Sequence, residues 1–382
     1  MHAEMKNVMI FVSDALRWDY APERIRKLGP TLKTVAQSCH TPTSFASIVT
    51  GMNPPKHGVE WFYHRISRDL YTIFDLPANV SYYSHRYDAL HQVFGKRAPC
   101  IPLDSIQEPF VYLEKNLHTH APYNSFYSGT AADYVRESKK KPEIYLRDYE
   151  IAVEKATNDF FDRIRTLKRR GLLDRTLLIF TSDHGEFLGE YGLLGHGFPC
   201  APELVYVPTV FIHSSLDNKD SLPTIMRHVD ILPTIIDLLG IKVDWAFEGV
   251  NVFEVDETLL GYCRVTFPHL FPWKIVVSSI WNEKGGFVKL QGSALRRLIV
   301  LLHELMYRSQ TLEPFAYCKR VRQFGEHLIN ADESIEVFEN EYTYGYANKI
   351  HEGPFNNKKI SELVMRLRVR RKIRKMKLEK RI

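Results

Sequence analysis

Two apolar runs of this 382-residue sequence are each followed directly by residues that commonly bind metals. Residues 8–12 lead to Asp14, and residues 177–181 lead to Asp183 and His184. If both runs are parallel strands of one sheet, their carboxyl ends share the edge where open α/β sheets place their ligands. Two carboxylates and an imidazole suit Mn²⁺, Zn²⁺ or a similar divalent cation. The alternative is that each aspartate only caps a helix.

A candidate nucleophile, Thr41, stands at the start of a short predicted helix. Pro42 follows it and Gly51 is a typical helix stop, so we expect Thr41 to be the N-cap and Pro42 the first helical residue. The partial positive charge of a helix N-terminus favours an alkoxide and an incoming oxyanion. A nearby cation would make the hydroxyl proton easier to lose. The alternative interpretation of Thr41 is a plain helix cap.

Further apolar runs and helical patterns predict how these residues are held in place. Runs at 8–12, 109–113, 177–180 and 209–212 lack polar alternation, which is typical of strands buried on both faces. Helical periods at 149–170 and from about residue 230 stop at Gly171 and Gly240. Strands separated by helices predict an α/β fold with a doubly wound, mostly parallel sheet sandwiched by helices.

The pattern changes along the chain and predicts three segments. Residues 1–255 form the α/β catalytic domain. Residues 256–352 mix strand-like pieces with one strong helix at 294–307, which indicates a smaller C-terminal α+β subdomain. Residues 353–382 form a basic helical tail. Within it, 358–382 carry twelve Lys or Arg and two acidic residues, so this stretch is +10 and the rest of the chain is −4.

Composition and cysteine usage predict the class and compartment of the protein. Hydrophobic residues at 45% and charged residues at 25% exclude wholesale disorder. No run approaches the ~18 apolar residues of a membrane span, and the N-terminal apolar stretch is too short for a signal peptide. The five scattered cysteines suit free thiols in a reducing compartment better than a disulfide framework. We therefore expect a cytoplasmic protein.

The basic tail predicts a possible partner. Leu363, Val364, Leu367, Ile373 and Met376 are interleaved among its basic residues, as in a basic amphipathic helix. Such a helix could bind the anionic inner face of a membrane peripherally, or an acidic polymer. The alternative is a solvated end. We do not expect nucleic acid binding, because the body is acidic and the tail lacks aromatic residues. The sequence leaves the oligomeric state open.

Several motifs, in one order over about residues 5–240, resemble the sulfatase family of the alkaline phosphatase superfamily. Residues 41–51, TPTSFASIVTG, are similar to its signature C-x-P-S-R-x-x-L-L-T-G, with Thr41 at the nucleophile position. Residues 181–186, TSDHGE, and the later GHG at 195–197 resemble its S-D-H-G-E…G-H-G segment. Residues 13–19, SDALRWD, are similar to its D-x-x-R-x-D, and 120–123, HAPY, to its H-x-P-Y.

This resemblance implies an alkaline-phosphatase-like fold and a set of site residues. The residues that map onto the metal ligands are Asp14, Thr41, Asp183 and His184. His120 and His196 map onto groups that hold the substrate's charged oxygens or protonate the leaving group, and His118 is a further candidate for substrate binding. The chain lacks the Asp-x-x-x-His pair of the two-metal phosphatases. We therefore expect one divalent cation, with Mn²⁺ or Zn²⁺ favoured over Ca²⁺ or Mg²⁺.

Two departures from the sulfatase signature change the expected chemistry. Thr41 cannot be oxidised to the formylglycine of sulfatases because its Cβ carries a methyl group, and the signature arginine is Phe45 here. Both favour relatives that use threonine on phosphorus. We expect a metal-dependent hydrolase in which Thr41 attacks a phosphodiester, phosphomonoester, phosphonate or sulfate ester. His120 or His196 would assist the leaving oxygen, and water or an acceptor alcohol would release the covalent intermediate.

Two other functions stay open. The first is a true sulfatase or a phosphotransferase, similar to phosphoethanolamine transferases, acting on a glycan or a lipid-linked substrate. The second is a metal-binding pseudoenzyme. A sulfatase or phosphotransferase would act on an anionic phosphate or sulfate ester, whereas a pseudoenzyme would keep only the predicted metal ligands.

Overall fold

The computed structural model describes most of the chain up to residue 291. The described residues are 4–84, 88–95, 99–123, 127–190, 194–196, 200–216, 222–255, 259–267, 275–283, 285–291, 295 and 334–338. The helix predicted at 294–307 lies outside them except for Leu295, and the whole basic tail lies outside them. Both therefore stay predictions, as does membrane binding by the tail.

A seven-stranded mixed sheet forms the centre of the fold. Its strands in spatial order are β3 (Asn79–Ser84), β4 (Phe110–Asn116), β1 (Asn7–Ser13), β5 (Thr176–Thr181), β8 (Tyr206–Ile212), β2 (Thr31–Val35) and β9 (Met226–Arg227). The first four pair in parallel. β8 is antiparallel to both of its neighbours, and β2 pairs in parallel with β9.

Helices cover both faces of this sheet. They are α1 (Glu23–Arg26), α2 (Thr41–Thr50), α3 (Pro54–His57), α4 (Leu90–Phe94), α5 (Ala131–Ser138), α6 (Pro142–Arg169), α7 (Pro202–Val205) and α8 (Ile231–Leu238). Alternate residues of a strand point to opposite faces. Accordingly Val8 and Ile10 of β1 pack with α2, α4 and α8, whereas Phe11 packs with Phe160 of α6. The two apolar faces explain why the strands show no polar alternation.

The four predicted strands are present, and the mostly parallel α/β sheet is confirmed. The strand at 209–212 is antiparallel to both of its neighbours, a direction that the sequence did not indicate because a uniformly apolar run does not encode it. The sequence analysis also missed β2, β3 and β9. Polar residues such as Lys33 and Asn79 interrupt the apolar pattern of β2 and β3, and β9 has only two residues.

The two predicted helices end where expected. Gly171 and Gly240 follow α6 and α8 with φ values of 66° and 64°, the left-handed conformation in which glycine carries no Cβ penalty. α6 begins at Pro142, earlier than the predicted start at 149, because proline at the first turn is compatible with a helix. Among the described residues, no helix is long and apolar enough to span a bilayer.

A second, antiparallel sheet follows residue 255. Its order is β10 (Gly261–Phe267), β11 (Ile275–Trp281), β12 (Gly285–Gln291) and β13 (Ser334–Phe338). It lies within the predicted α+β segment, although the segment boundaries stay predictions. β10 is tied to the residues before α2, since Arg264 N donates to Gln37 O at 2.8 Å and Gln37 Nε2 donates to Tyr262 O at 3.1 Å. A two-stranded ribbon, β6 (Phe187–Leu188) with β7 (Leu194–Gly195), lies beside the central sheet's carboxyl edge.

Candidate active site

The carboxyl ends of β1 and β5 bring Asp14, Asp183 and His184 together. These strands are adjacent and parallel, with Val12 paired to Thr181, so the loops that follow them begin at the same height along the sheet edge. All three side chains are completely buried. His184 Nε2 lies 3.8 Å from Asp14 Oδ1 and 3.5 Å from Asp183 Oδ2. One ligand atom from each residue lies within 4.8 Å of the others.

Thr41 reaches the same point from the start of α2. Its Oγ1 lies 3.2 Å from His184 Nε2, and only 5% of the residue is exposed. The predicted cap was wrong by one position, because the extended backbone of His40 makes it the N-cap and Thr41 the first helical residue. Gly51 ends the helix as expected, with φ 62°.

The donor set of this cluster suits a divalent cation. Asp14 Oδ1 and Asp183 Oδ2 are buried and accept no hydrogen bond from the described residues. Such oxygens are costly to bury unless a cation compensates them. Carboxylate, imidazole and hydroxyl donors suit Mn²⁺ or Zn²⁺. The four predicted ligand residues therefore lie together, and their role as ligands stays a prediction.

Hydrogen bonds to the neighbouring backbone orient two of these side chains. Asp183 Oδ1 accepts from Ala15 N at 3.1 Å and from His184 N at 3.0 Å, which turns Oδ2 towards the cluster. His184 Nδ1 lies 2.9 Å from Gly185 O. Since a carbonyl only accepts, Nδ1 carries the proton and Nε2 presents its lone pair to the cluster.

The backbone between Asp14 and Arg17 is held in an unusual conformation. Ala15 has φ 67°, which is unfavourable for a residue with a Cβ. Tyr149 OH donates to Ala15 O at 3.0 Å and accepts from Arg17 N at 3.1 Å, while Leu16 N donates to Ser182 Oγ at 2.8 Å. These hydrogen bonds stabilise the turn in its strained conformation. The turn gives Ala15 N its direction towards Asp183.

A buried lysine that the sequence analysis missed lies beside Asp14. Lys115 Nζ, near the end of β4, is 3.1 Å from Asp14 Oδ2 and 3.3 Å from Asp88 Oδ2. Burial opposes the charged form, but Asp14 and Asp88 overcome it and raise the pKa of Lys115. The available signal was a lysine inside an otherwise apolar strand sequence, Phe110–Asn116. Its partners could not be read from that signal.

The two buried aspartates respond differently to their surroundings. Burial acts to raise the pKa of Asp14, but Lys115, together with His120 and His184 when they are protonated, lowers it below its usual value. Burial and the neighbouring Asp14 charge raise the pKa of Asp183. Asp14 is therefore the carboxylate that the chain keeps ionised by its own charges.

His120 and His196 lie next to His184, as expected for the catalytic or substrate-binding histidines. The ring centroid of His196 lies 4.4 Å from that of His184 and 5.0 Å from that of His120. His120 Nδ1 donates to Ala121 O at 2.7 Å, which leaves Nε2 as the nitrogen available to a substrate. The structure thus places His196 beside His184 and His120 beside His196.

Glu186 is a second residue that the sequence analysis did not identify. It is completely buried, and its Oε1 lies 3.2 Å from His196 Nδ1. Burial raises the pKa of Glu186 to about 8, while His120 and His184 act in the opposite direction. Glu186 stands three residues after Asp183 in the TSDHGE motif, so its position was a usable signal. Its contact with Nδ1 holds the His196 ring in place.

His118 has a different contact. Its Nε2 lies 3.1 Å from Asp159 Oδ2 on α6, and Asn116 Nδ2 donates to the same carboxylate oxygen at 2.9 Å. The pair is partly exposed, with 37% of the His118 side chain and 27% of the Asp159 side chain accessible. These contacts support a structural role, and substrate binding by His118 stays a prediction.

Comparisons with known proteins point to one family. The family model described as Sulfatase matches residues 37–241. The chain is 32% identical over 315 residues to the "Low-salt glycan biosynthesis sulfotransferase Agl7" of Haloferax volcanii, covering 77% of this chain and 76% of that relative. It is 27% identical over 155 residues to an N-acetylglucosamine-6-O-sulfatase of Bacteroides thetaiotaomicron, covering 38% of this chain and 28% of that protein.

Solved structures support the same fold at low sequence identity. A 2-O GAG sulfatase superposes with a TM-score of 0.62 and 11% identity over 75% of this chain and 83% of that one. The phosphonate monoester hydrolase of Agrobacterium radiobacter has a TM-score of 0.58 and 14% identity over 85% of this chain and 95% of that one. These neighbours confirm the expected α/β architecture with its mostly parallel central sheet.

Proposed function

The chain belongs to the sulfatase family, whose members are metal-dependent enzymes acting on sulfuric or phosphoric esters, and we propose that it cleaves such an ester with Thr41 as the nucleophile. The observation that carries this proposal is the 3.2 Å distance between Thr41 Oγ1 and His184 Nε2 inside the buried donor cluster. The Thr41 hydroxyl also lies at the N-terminus of α2, where the partial positive charge of the helix dipole stabilises an alkoxide.

The proposed reaction has two displacement steps at sulfur or phosphorus. Thr41 Oγ1 forms a bond to that atom and gives its proton to solvent, while the bond to the leaving oxygen breaks. His120 or His196 gives a proton to the leaving oxygen, which departs as an alcohol. Water then attacks the same sulfur or phosphorus atom and loses a proton, and the bond to Thr41 Oγ1 breaks. Thr41 regains a proton, and sulfate or phosphate is released.

Asp14, Thr41, Asp183 and His184 are the residues that would hold the cation. A bound divalent cation lowers the pKa of a hydroxyl that it contacts and offsets the charge of the ester oxygens. Lys115 places a positive charge against Asp14 and so reduces the net negative charge that the cation would have to balance. Oxygen and imidazole ligands favour Mn²⁺ or Zn²⁺.

The histidine side of the site supports assistance to the leaving group. His196 Nδ1 lies 3.2 Å from Glu186 Oε1, and this contact holds the ring in the site. The hydrogen bond from His120 Nδ1 to Ala121 O likewise holds the His120 ring in place. These two imidazoles lie 5.0 Å apart, with His196 4.4 Å from His184, and either can supply a proton to the leaving oxygen.

A panel of aryl esters tests the proposal. We expect the chain loaded with Mn²⁺ or Zn²⁺ to hydrolyse at least one of p-nitrophenyl sulfate, phosphate, phosphodiester or phosphonate. Thr41→Ala removes the attacking oxygen and should abolish turnover, and Thr41→Ser should restore it in part. Thr166→Ala, on α6, is the matched control and should act as wild type. Full turnover by the Thr41→Ala variant would rule the proposal out.

The same panel decides between sulfur and phosphorus. Threonine in place of a formylglycine precursor favours phosphorus, whereas the sulfotransferase and sulfatase relatives favour sulfur. Turnover of only the sulfate ester would assign the chain as a sulfatase. Turnover of only the phosphorus esters would assign it as a phosphoesterase or phosphonate hydrolase.

A second candidate is transfer of a sulfuryl group to a glycan hydroxyl. The observation that favours it is the 32% identity to the Haloferax volcanii glycan biosynthesis sulfotransferase over 77% of this chain. In this version a sugar hydroxyl replaces water in the second step. Mass spectrometry of an oligosaccharide incubated with p-nitrophenyl sulfate and the enzyme would detect a sulfated sugar. Release of free sulfate alone would exclude transfer to that acceptor.

A further inference from the structure

Three cysteines from separate segments meet in the core between the central sheet and the second sheet. Cys39 precedes α2, Cys200 precedes α7 and Cys263 lies on β10, and all three are completely buried. One sulfur from each lies within 4.8 Å of the others, and Cys200 Sγ is 3.9 Å from Cys263 Sγ. We call Cys39, Cys200 and Cys263 the thiol cluster. None of the three belongs to the proposed catalytic machinery.

The spacing of the sulfurs suits a shared metal ion better than a disulfide. Metal–thiolate bonds of about 2.3 Å place sulfurs about 3.8–4.0 Å apart in tetrahedral or trigonal geometry. The Cys200–Cys263 distance of 3.9 Å has this value already. A disulfide would need the same pair to close to about 2.05 Å and would leave the third thiol without a partner.

The donor chemistry identifies the class of ion. Among the residues that the structure describes, the thiol cluster contains no histidine nitrogen or carboxylate oxygen. An all-sulfur set selects soft d¹⁰ cations such as Zn²⁺ or Cu⁺ and disfavours Mg²⁺, Ca²⁺ or Mn²⁺.

The surroundings would hold such an ion away from water. The cluster is enclosed by apolar side chains from both sheets, among them Val35, Phe187, Leu204, Ile225 and Trp281. Buried cysteines can also pack simply as small apolar residues. Here, however, three of them turn their sulfurs to one point from three segments that are distant in sequence, where any three apolar residues would have filled the volume.

We propose that Cys39, Cys200 and Cys263 bind one thiophilic d¹⁰ metal ion, either Zn²⁺ or Cu⁺, at a site separate from the Asp14–Asp183–His184 cluster. The ion would join three segments that lie far apart in sequence. Two of them bear on catalysis, because Cys39 is two residues from Thr41 and β10 holds the chain before α2 through Arg264 and Gln37. Its role would therefore be to fix the segment that carries the nucleophile.

Cadmium provides a direct spectroscopic test, because only thiolate coordination gives a strong ultraviolet charge-transfer band with this ion. The chain is first reduced and stripped of metal, and Cys100→Ser/Cys318→Ser serves as the parent that keeps only the thiol cluster. Titration with Cd²⁺ should produce the band with an endpoint at one equivalent. Cys200→Ser and Cys263→Ser should lose most of it. Asp14→Asn should keep it, which separates this site from the catalytic one.

A competition experiment then identifies the natural ion. Alkylation of the unsubstituted protein tests the site even if a cysteine variant fails to fold. Zn²⁺ and Cu⁺ are each titrated into the cadmium-loaded parent, and the ion that removes the band at the lower free concentration is assigned. In the unsubstituted cluster, bound Cd²⁺ should slow alkylation of all three cysteines by iodoacetamide in mild denaturant. A missing band, an undiminished band in folded Cys200→Ser, or a native Cys200–Cys263 disulfide found by peptide mapping would overturn the proposal.

Discussion

Lys115 Nζ lies 3.1 Å from Asp14 Oδ2, and both side chains are buried at the carboxyl edge of the central sheet. The lysine also lies 3.3 Å from Asp88 Oδ2, so one ammonium group faces two carboxylates. This contact supplies the cluster with a positive charge that belongs to the chain itself. It offers a physical reason why one divalent cation, rather than two, can balance the site.

Lys115→Met should destabilise the metal-free protein strongly. Removing one partner of a buried ion pair leaves the other charge uncompensated and costs about 3–5 kcal/mol. Urea unfolding in the presence of a chelator measures this loss. Lys27→Met is the matched control, since Lys27 pairs with Glu23 on the surface and 72% of its side chain is exposed. Equal unfolding midpoints for the two variants would contradict the role assigned to Lys115.

Binding of Mn²⁺ should stabilise the chain through the cluster of Asp14, Asp183 and His184. A ligand at 100 times its Kd adds about 2.7 kcal/mol to the free energy of unfolding, which appears as a higher Tm. Mn²⁺ is chosen because the thiol cluster should not bind it. Asp14→Asn should abolish the Tm shift, and Asp162→Asn, an exposed carboxylate on α6, should keep it. An unchanged shift in Asp14→Asn would place the ion elsewhere.

Substitution of the three histidines by asparagine should separate a catalytic pair from a structural residue. Loss of a general acid typically lowers kcat by about 10²- to 10⁴-fold. We expect this loss in His120→Asn or His196→Asn, and it should be largest for esters whose leaving alcohol has a high pKa. His118→Asn should change kcat little, because His118 contacts Asp159. Steady-state rates on alkyl and aryl esters make the comparison, and equal losses in all three variants would defeat it.

His228 should make the protein sensitive to acid. Its Nε2 donates to Ser182 O at 2.8 Å, and burial lowers its pKa to about 3, with the nearby His184 charge acting in the same direction. The folded state therefore keeps His228 neutral, while the unfolded chain protonates it near pH 6.5. The resulting stability is complete above about pH 6.5 and falls by about 1.4 kcal/mol per pH unit below it, until about pH 3.

A His228→Gln variant isolates this contribution. Glutamine can still donate to Ser182 O but does not titrate. The free energy of unfolding of the variant, measured with urea at pH 7.5 and pH 4.5, should therefore fall by about 3 kcal/mol less than that of wild type. Parallel losses in the two proteins would show that His228 is not the titrating group.

Local patterns predicted four of the seven strands of the central sheet and the residues that follow two of them. Apolar runs fixed β1, β4, β5 and β8, and Gly51, Gly171 and Gly240 marked helix ends. The position of Asp14 after β1 and of Asp183 after β5 then placed both carboxylates on one edge, because adjacent parallel strands end on the same side.

The sequence by itself determined which side chains are available at the edge of the sheet, since strand ends and helix starts are local properties of the chain. Only the tertiary structure decided how they pair. Asp14 and Lys115 are 101 residues apart, and the three sulfurs of the thiol cluster come from three segments that are distant in sequence, only one of which is a strand. Such contacts depend on the order and direction of the strands and on the turn at Ala15. No local pattern of polarity encodes these features.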